Sequence, residues 1–206
     1  MRPAAVILAG GRSSRMGGGD KCLLSLGGRP MIAHILDAVT PQAADILINT
    51  NSDPAPFLQY GQPVLPDAIS GFQGPLAGIL TGMLWSRRRH PRQVHLLTVA
   101  SDVPFLPDDL VTRLARSLSD QRADIAIART ADGTHPTIGL WPVDLAERLE
   151  HDLMEGSVRS VHQWLGGFRV ACAQFDALAN INTPDDLAAC RGQFARHAWL
   201  VQSAAI

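Results

Sequence analysis

Apolar residues along this chain fall into two patterns, short continuous runs and longer stretches with helical spacing. The runs at residues 4–8, 46–48, 94–99 and 123–128 are brief and rich in branched side chains, as buried strands are, and residues 64–65 form a weaker one. Residues 22–26 read as a short extended piece stopped by Gly27-Gly28. Helical spacing appears in Met31, Ile32, Ile35, Leu36 and Val39, with Pro30 at the first helical position and Pro41 beyond. It recurs in Leu76, Ile79, Leu80, Met83 and Leu84, where Arg87, Arg88 and Arg89 close the last turn on a solvated face and complement the negative helix end. A further helix runs to Ser119 behind Asp108-Asp109, whose carboxylates suit its N-terminus. An Asp132-Gly133 turn should return residues 135–140 as a strand along the same sheet edge. Two modest amphipathic helices at 145–153 and 158–165 follow, then a late strand at 168–173. Thr183, Pro184 and Asp186 have the spacing of a helix cap with its reciprocal acid. Strands interleaved with helices make this an α/β protein.

The 206 residues suffice for one well-filled domain, and residues 1–206 are read as a single unit. With 46% hydrophobic and 18% charged residues the chain is an ordinary globular one. Its formal net charge of −1 leaves no footprint for a nucleic acid polymer or an anionic membrane, so any phosphate binding must be local. No stretch approaches the roughly 18 apolar residues of a membrane span, and the N-terminal run is too short for a signal peptide. Cys22, Cys172 and Cys190 are far apart and lack metal-ligand spacing, which fits unpaired thiols in a reducing compartment. A cytoplasmic location is expected.

Chemistry concentrates in Leu8 to Lys21, LAGGRSSRMGGGDK, directly after the first strand. Its glycines let the backbone approach a ligand closely, successive N–H groups can converge on phosphate oxygens, and Arg12, Arg15 and Lys21 supply positive charge. The spacing is neither that of a P-loop, since Lys21 precedes Cys22, nor that of a dinucleotide fingerprint. Asp102 leaves the strand at 94–99 where a carboxylate is well placed to hold Mg²⁺. Asn49 stands at the carboxyl end of the second strand, where ligands bind in open α/β sheets; on its residue type alone it serves a nucleotide or merely a turn. His135 and Arg159, in GSVRS, are further candidates for substrate or anion contact, although a lone histidine in a turn is usually structural.

The stretch resembles, at nearly every position, the L-A-G-G-x-S-x-R-M-G-x-x-D-K signature of molybdenum cofactor guanylyltransferases. The resemblance continues through Pro30, Gly74-Pro75-Leu76-Ala77-Gly78, Asp102-Val103-Pro104, His135-Pro136-Thr137 and Asn180-Ile181-Asn182-Thr183-Pro184, and is looser over residues 156–164. It implies a Rossmann-like three-layer fold around a central, mostly parallel sheet, of the nucleotide-diphospho-sugar transferase type. It also implies GTP at Leu8, Ala9, Gly10, Gly11, Lys21, Asn49, Asp67 and Asp102, with Mg²⁺ on Asp102 and catalysis by Arg15, Lys21 and Asp102. Molybdopterin would lie on the far side of the sheet edge near Asn180 and Asn182. The implied reaction joins GMP from GTP to molybdenum-loaded molybdopterin and releases pyrophosphate, with transient contact to molybdoenzymes or cofactor-delivery proteins. Similar cytidylyltransferases read L-A-A-G at the start of the signature, so the difference falls on Gly10. Two alternatives stand beside this one: a sibling enzyme using CTP or another phosphorylated acceptor, and a non-catalytic nucleotide- or cofactor-binding protein.

Overall fold

The structure is a computed structural model that describes residues 2–10, 20–71 and 74–190. In chain order, β1 (Ala4–Leu8) leads to β2 (Ser25–Leu26), β3 (Arg29–Pro30), α1 (Met31–Val39), β4 (Asp45–Asn49) and β5 (Val64–Leu65). Then come α2 (Pro75–Arg89), β6 (His95–Ala100), α3 (Leu110–Asp120), β7 (Ile125–Thr130), β8 (Gly133–Pro142), α4 (Ala146–Met154), α5 (Val161–Leu165) and β9 (Val170–Gln174). A seven-stranded sheet has the order β5-β4-β1-β6-β8-β7-β9, and β2 with β3 forms a small separate ribbon. Every pairing in the large sheet is parallel except the two made by β8, which runs antiparallel between β6 and β7.

Alternation along β1 divides the core in two. Ala5 and Ile7 face Ile32, Ile35 and Val39 of α1 and share that cluster with Leu110 and Leu114 of α3. Ala4 and Val6 face the other way, toward Leu76, Ile79, Leu80 and Met83 of α2, a cluster that extends to Leu149 of α4 and Trp164 of α5. The result is the expected three-layer arrangement, with helices on both faces of a sheet whose central strands are buried. Helix α2 lies close to the sheet because it carries glycine where it crosses. A Cβ on Gly82 would stand 2.7 Å from Val6 Cγ1, 2.9 Å from Val6 Cβ and 2.8 Å from Leu96 Cδ2. Gly82→Ala should therefore lower thermal stability: an overpacking cost of about 1–3 kcal/mol opposes a helix-propensity gain of about 1 kcal/mol. A melting temperature at or above that of the unsubstituted chain would show that the helix can lift off β1 at no cost.

Boundaries differ from the sequence reading where tertiary contacts intervene. Pro30 caps α1 from the end of β3 instead of opening the helix, and residues 22–26 split into a 3-10 turn at Lys21–Leu23 followed by β2. The expected helix at 158–165 is reduced to α5, since Ser160 is extended and its hydroxyl accepts the Gln163 N–H at 3.1 Å. Asp109 stands at the α3 cap position without a side-chain cap bond. An orphan donor in the first turn, the Val111 N–H, is instead met by the buried Gln42 Oε1 at 3.0 Å. The arginines ending α2 behave as a solvated helix end: Arg87 pairs with Glu147 at 3.0 Å and Arg89 with Asp45 at 3.4 Å. Among the described residues no helix is long and apolar enough to cross a membrane.

Candidate active site

Parallel register brings the carboxyl ends of three strands level, with Leu8 beside Asn49 on one side and Ala100 on the other. The ladder continues past β1: the Ala9 N–H donates to the Asn49 carbonyl at 2.8 Å, and the Ser101 N–H to the Leu8 carbonyl at 3.3 Å. Ala9 is buried and Gly10 exposed. Gly11 and Arg15, both assigned from the sequence, lie outside the described residues, as does Arg12. The chain returns at Asp20, whose carboxylate accepts the Ser52 hydroxyl at 2.7 Å and so joins the end of the glycine-rich stretch to the loop after β4.

Asn49 is not a turn residue. It ends β4 with its side chain buried, and its amide donates to Asp67 Oδ1 at 3.0 Å and to the Leu65 carbonyl at 3.3 Å. Asn51 completes the group, donating to Asp67 Oδ2 at 2.7 Å and accepting the Asp67 N–H at 2.9 Å. Two amides thus hold both oxygens of one carboxylate. Asn51 received no role from the sequence, because its pairing depends on where Asp67 arrives from β5. Gly78 of α2 passes directly behind, where a Cβ would come within 2.3 Å of Asn49 Oδ1 and 2.7 Å of Leu8 Cδ2. Gly78→Ala should weaken nucleotide binding more than it weakens the fold, because the nearest atom it displaces is the held Asn49 amide. Calorimetric titration with GTP beside a thermal melt checks this; a lowered melting temperature with unchanged affinity would contradict it.

The third group is centred on Lys21. Its ammonium lies 3.3 Å from Asp102 Oδ2 and donates to Asn182 Oδ1 at 2.8 Å. The Lys21 side chain is 13% exposed and that of Asp102 30%, so the pair is partly shielded at the rim of the sheet. The Ile181 N–H donates to the Asp102 carbonyl at 2.8 Å, which brings the Asn182 segment against the end of β6. Asn182 was expected on the far side of the sheet edge; it stands instead on the Lys21 ammonium, while Asn180 is exposed two residues away. His135 lies on β8 with Nε2 3.0 Å from the Thr130 hydroxyl. Burial pushes its pKa below the ordinary imidazole value, opposed by the charges of Asp102 and Asp132, so the ring is neutral at neutral pH. Cys22, adjacent to Lys21, is an inert packing residue: burial, with Asp20 adding to it, pushes its thiol up to about 12.

Among the described residues no three His, Cys, Asp or Glu side chains gather as a metal site. A lone, partly exposed carboxylate still fits Mg²⁺, which is commonly bound through one or two carboxylates together with substrate phosphates. A cleft of about 420 Å³ opens nearby between residues 65–68 and α2, lined by Asp67, Thr81, Trp85 and Arg88 among others. It shares Leu65 and Asp67 with the groups above, and neither Lys21 nor Asp102 lines it.

Residues 5–170 match the family described as the MobA-like NTP transferase domain. A molybdenum cofactor guanylyltransferase of Bradyrhizobium sp. is 43% identical over 188 residues, covering 89% of this chain and 89% of that protein. This chain belongs to the molybdenum cofactor guanylyltransferases. It is thus a nucleotidyltransferase, and solved structures share its fold. The molybdopterin-guanine dinucleotide biosynthesis protein A of Archaeoglobus fulgidus superposes with a TM-score of 0.75 at 22% identity, over 94% of this chain and 99% of that one. Rv0371c of Mycobacterium tuberculosis, solved in complex with manganese, gives 0.67 at 17% identity, over 93% and 99%. Ala9 and Gly10 follow β1 and Asp102 follows β6, so these residues stand at the carboxyl edge of the parallel strands.

Proposed function

We propose that this chain, acting as one domain over residues 1–206, transfers GMP from GTP to molybdenum-loaded molybdopterin. The observation that carries the reading is the meeting of Lys21 with Asp102, 81 residues apart, at the strand ends where Asn49 and Asp67 are also held. A terminal phosphate oxygen of molybdopterin forms a bond to the α-phosphorus of GTP, the bond from that phosphorus to the bridging oxygen breaks, and pyrophosphate leaves with the electron pair. The attacking phosphate is already ionised and needs no base, so catalysis consists of positioning and charge neutralisation. The backbone of Leu8, Ala9, Gly10 and Gly11 would line the nucleotide, with Asn49 and Asp67 orienting it. Lys21 and Arg15 would stabilise charge on the transferring and departing phosphates. Asp102 would hold Mg²⁺, which would supply positive charge to neutralise the phosphates. The acceptor would enter from the side of Asn180 and Asn182, and a cytoplasmic enzyme of this kind would pass its product to molybdoenzymes or delivery proteins by transient contact. Incubation with Mg²⁺, GTP and molybdopterin should release pyrophosphate in step with dinucleotide formation; GTP binding without release would favour a non-catalytic binding protein.

Base choice is assigned to Gly10. A Cβ there would meet no atom of the described residues within 4 Å, so those residues leave room for a side chain at that position. A purine lying over it would not. Gly10→Ala should weaken GTP use by about 1–3 kcal/mol in kcat/KM and CTP use less. An unchanged GTP-to-CTP ratio, or an unsubstituted enzyme preferring CTP, would remove this steric account of selectivity.

A further inference from the structure

Lys21 has two acceptors that differ in kind. The Asp102 contact, at 3.3 Å, is to a carboxylate oxygen that a divalent cation competes for directly. The Asn182 contact, at 2.8 Å, is to a neutral amide oxygen, which a hard cation prefers less than carboxylate or phosphate. Asn182 is itself held. Its backbone N–H donates to Asp186 Oδ2 at 2.8 Å, the Thr183 N–H donates to the same oxygen at 2.9 Å, and the Thr183 hydroxyl accepts the Asp186 N–H at 3.1 Å. This is a reciprocal cap at the start of the helix over residues 184–190. Ile181, directly before Asn182, is fully buried with Leu26, Met31 and Leu187, and its N–H donates to the Asp102 carbonyl. The Asp186 carboxyl is held below the usual carboxylate range, first by the Asn182 N–H, then by the Thr183 hydroxyl and N–H, with the Lys21 charge adding to them. The cap therefore stays ionised beside the lysine at neutral pH.

We propose that Asn182 is the positioning residue of Lys21: when a divalent cation takes Asp102, the capped Asn182 amide keeps the ammonium directed at the nucleotide phosphates. The cap thereby serves the phosphate site, on the side from which the acceptor enters. This rests on the reading that Lys21 acts on GTP phosphates. Asn182→Ala is a mild probe, because it removes the amide and leaves the backbone N–H that bonds Asp186. Calorimetry of the full chain with GTP should show affinity reduced on the order of tenfold in Mg²⁺, the loss expected for one hydrogen bond to a charged group, and a clearly smaller reduction in EDTA, where Asp102 still holds the lysine. In steady state the variant should lose kcat while KM for molybdopterin stays within about twofold. Lys21→Ala combined with Asn182→Ala should be no worse than Lys21→Ala alone, since the two act as one unit. Equal weakening in Mg²⁺ and EDTA, additive losses, or a rise confined to the molybdopterin KM would each overturn the proposal. If Lys21→Ala is severe and Asn182→Ala behaves as the unsubstituted chain, this inference fails alone; if Lys21→Ala is itself harmless, the functional reading beneath it fails.

Discussion

Asp102→Ala should abolish detectable guanylyl transfer while the protein folds as before. The residue follows β6 at the edge of the core, its side chain is partly exposed, and among the described residues its side-chain partner is Lys21, so little packing is lost with it. What disappears is the carboxylate proposed to take a cation at the phosphates. Metal stabilisation of transition-state charge amounts to several kcal/mol, which converts to a rate loss on the order of a thousandfold or more. The measurement is kcat for pyrophosphate release, with circular dichroism and a thermal melt on the same preparation. Near-normal turnover would show that Asp102 is not the metal ligand; a collapsed melt would show that it is structural.

Lys21→Ala should come close to that effect, and Arg88→Ala should not. Removing Lys21 leaves Asp102 without its ammonium partner and, on the proposed reaction, takes a charge from the place where negative charge accumulates. Loss of one such preorganised electrostatic contact costs on the order of a hundred- to a thousandfold in kcat. Arg88 lies in the last turn of α2, where its Nε makes only a 3.4 Å bond to the Leu84 carbonyl of its own helix. A charge at such a helix end is worth about 0.3–1 kcal/mol, so a change of a few fold at most is expected. Arg88 also lines the cleft beside Asp67, which makes the comparison decisive: equal losses would move substrate binding into that cleft and away from Lys21.

Much of this was legible without coordinates because it depends on local rules. A short, branched apolar run such as residues 4–8 specifies a buried strand, whatever else the chain does. The same holds for the spacing of α1 and α2, the Asp132-Gly133 hairpin, and the Thr183–Asp186 cap, whose bonds span at most four residues. The α/β class and the three layers follow from those elements and from β1, whose alternate residues are apolar toward both faces.

Relations between distant segments were decided only in three dimensions. That β8 is inserted antiparallel between β6 and β7 depends on which strand edge remains open after the parallel strands have paired. That Asn49 holds Asp67 instead of a turn depends on β5 joining β4 in one register, and that α2 can press on Asn49 depends on Gly78 passing without a side chain. That Gln42 caps α3 across 69 residues, and that Asn182 meets Lys21 across 161, leaves no mark in local spacing. Residue type and spacing state what a side chain is able to do. Only packing states what it faces, because a partner's position is set by the burial of apolar groups elsewhere, here Ile181 against Leu26 and Met31, and not by the polar residues that end up in contact.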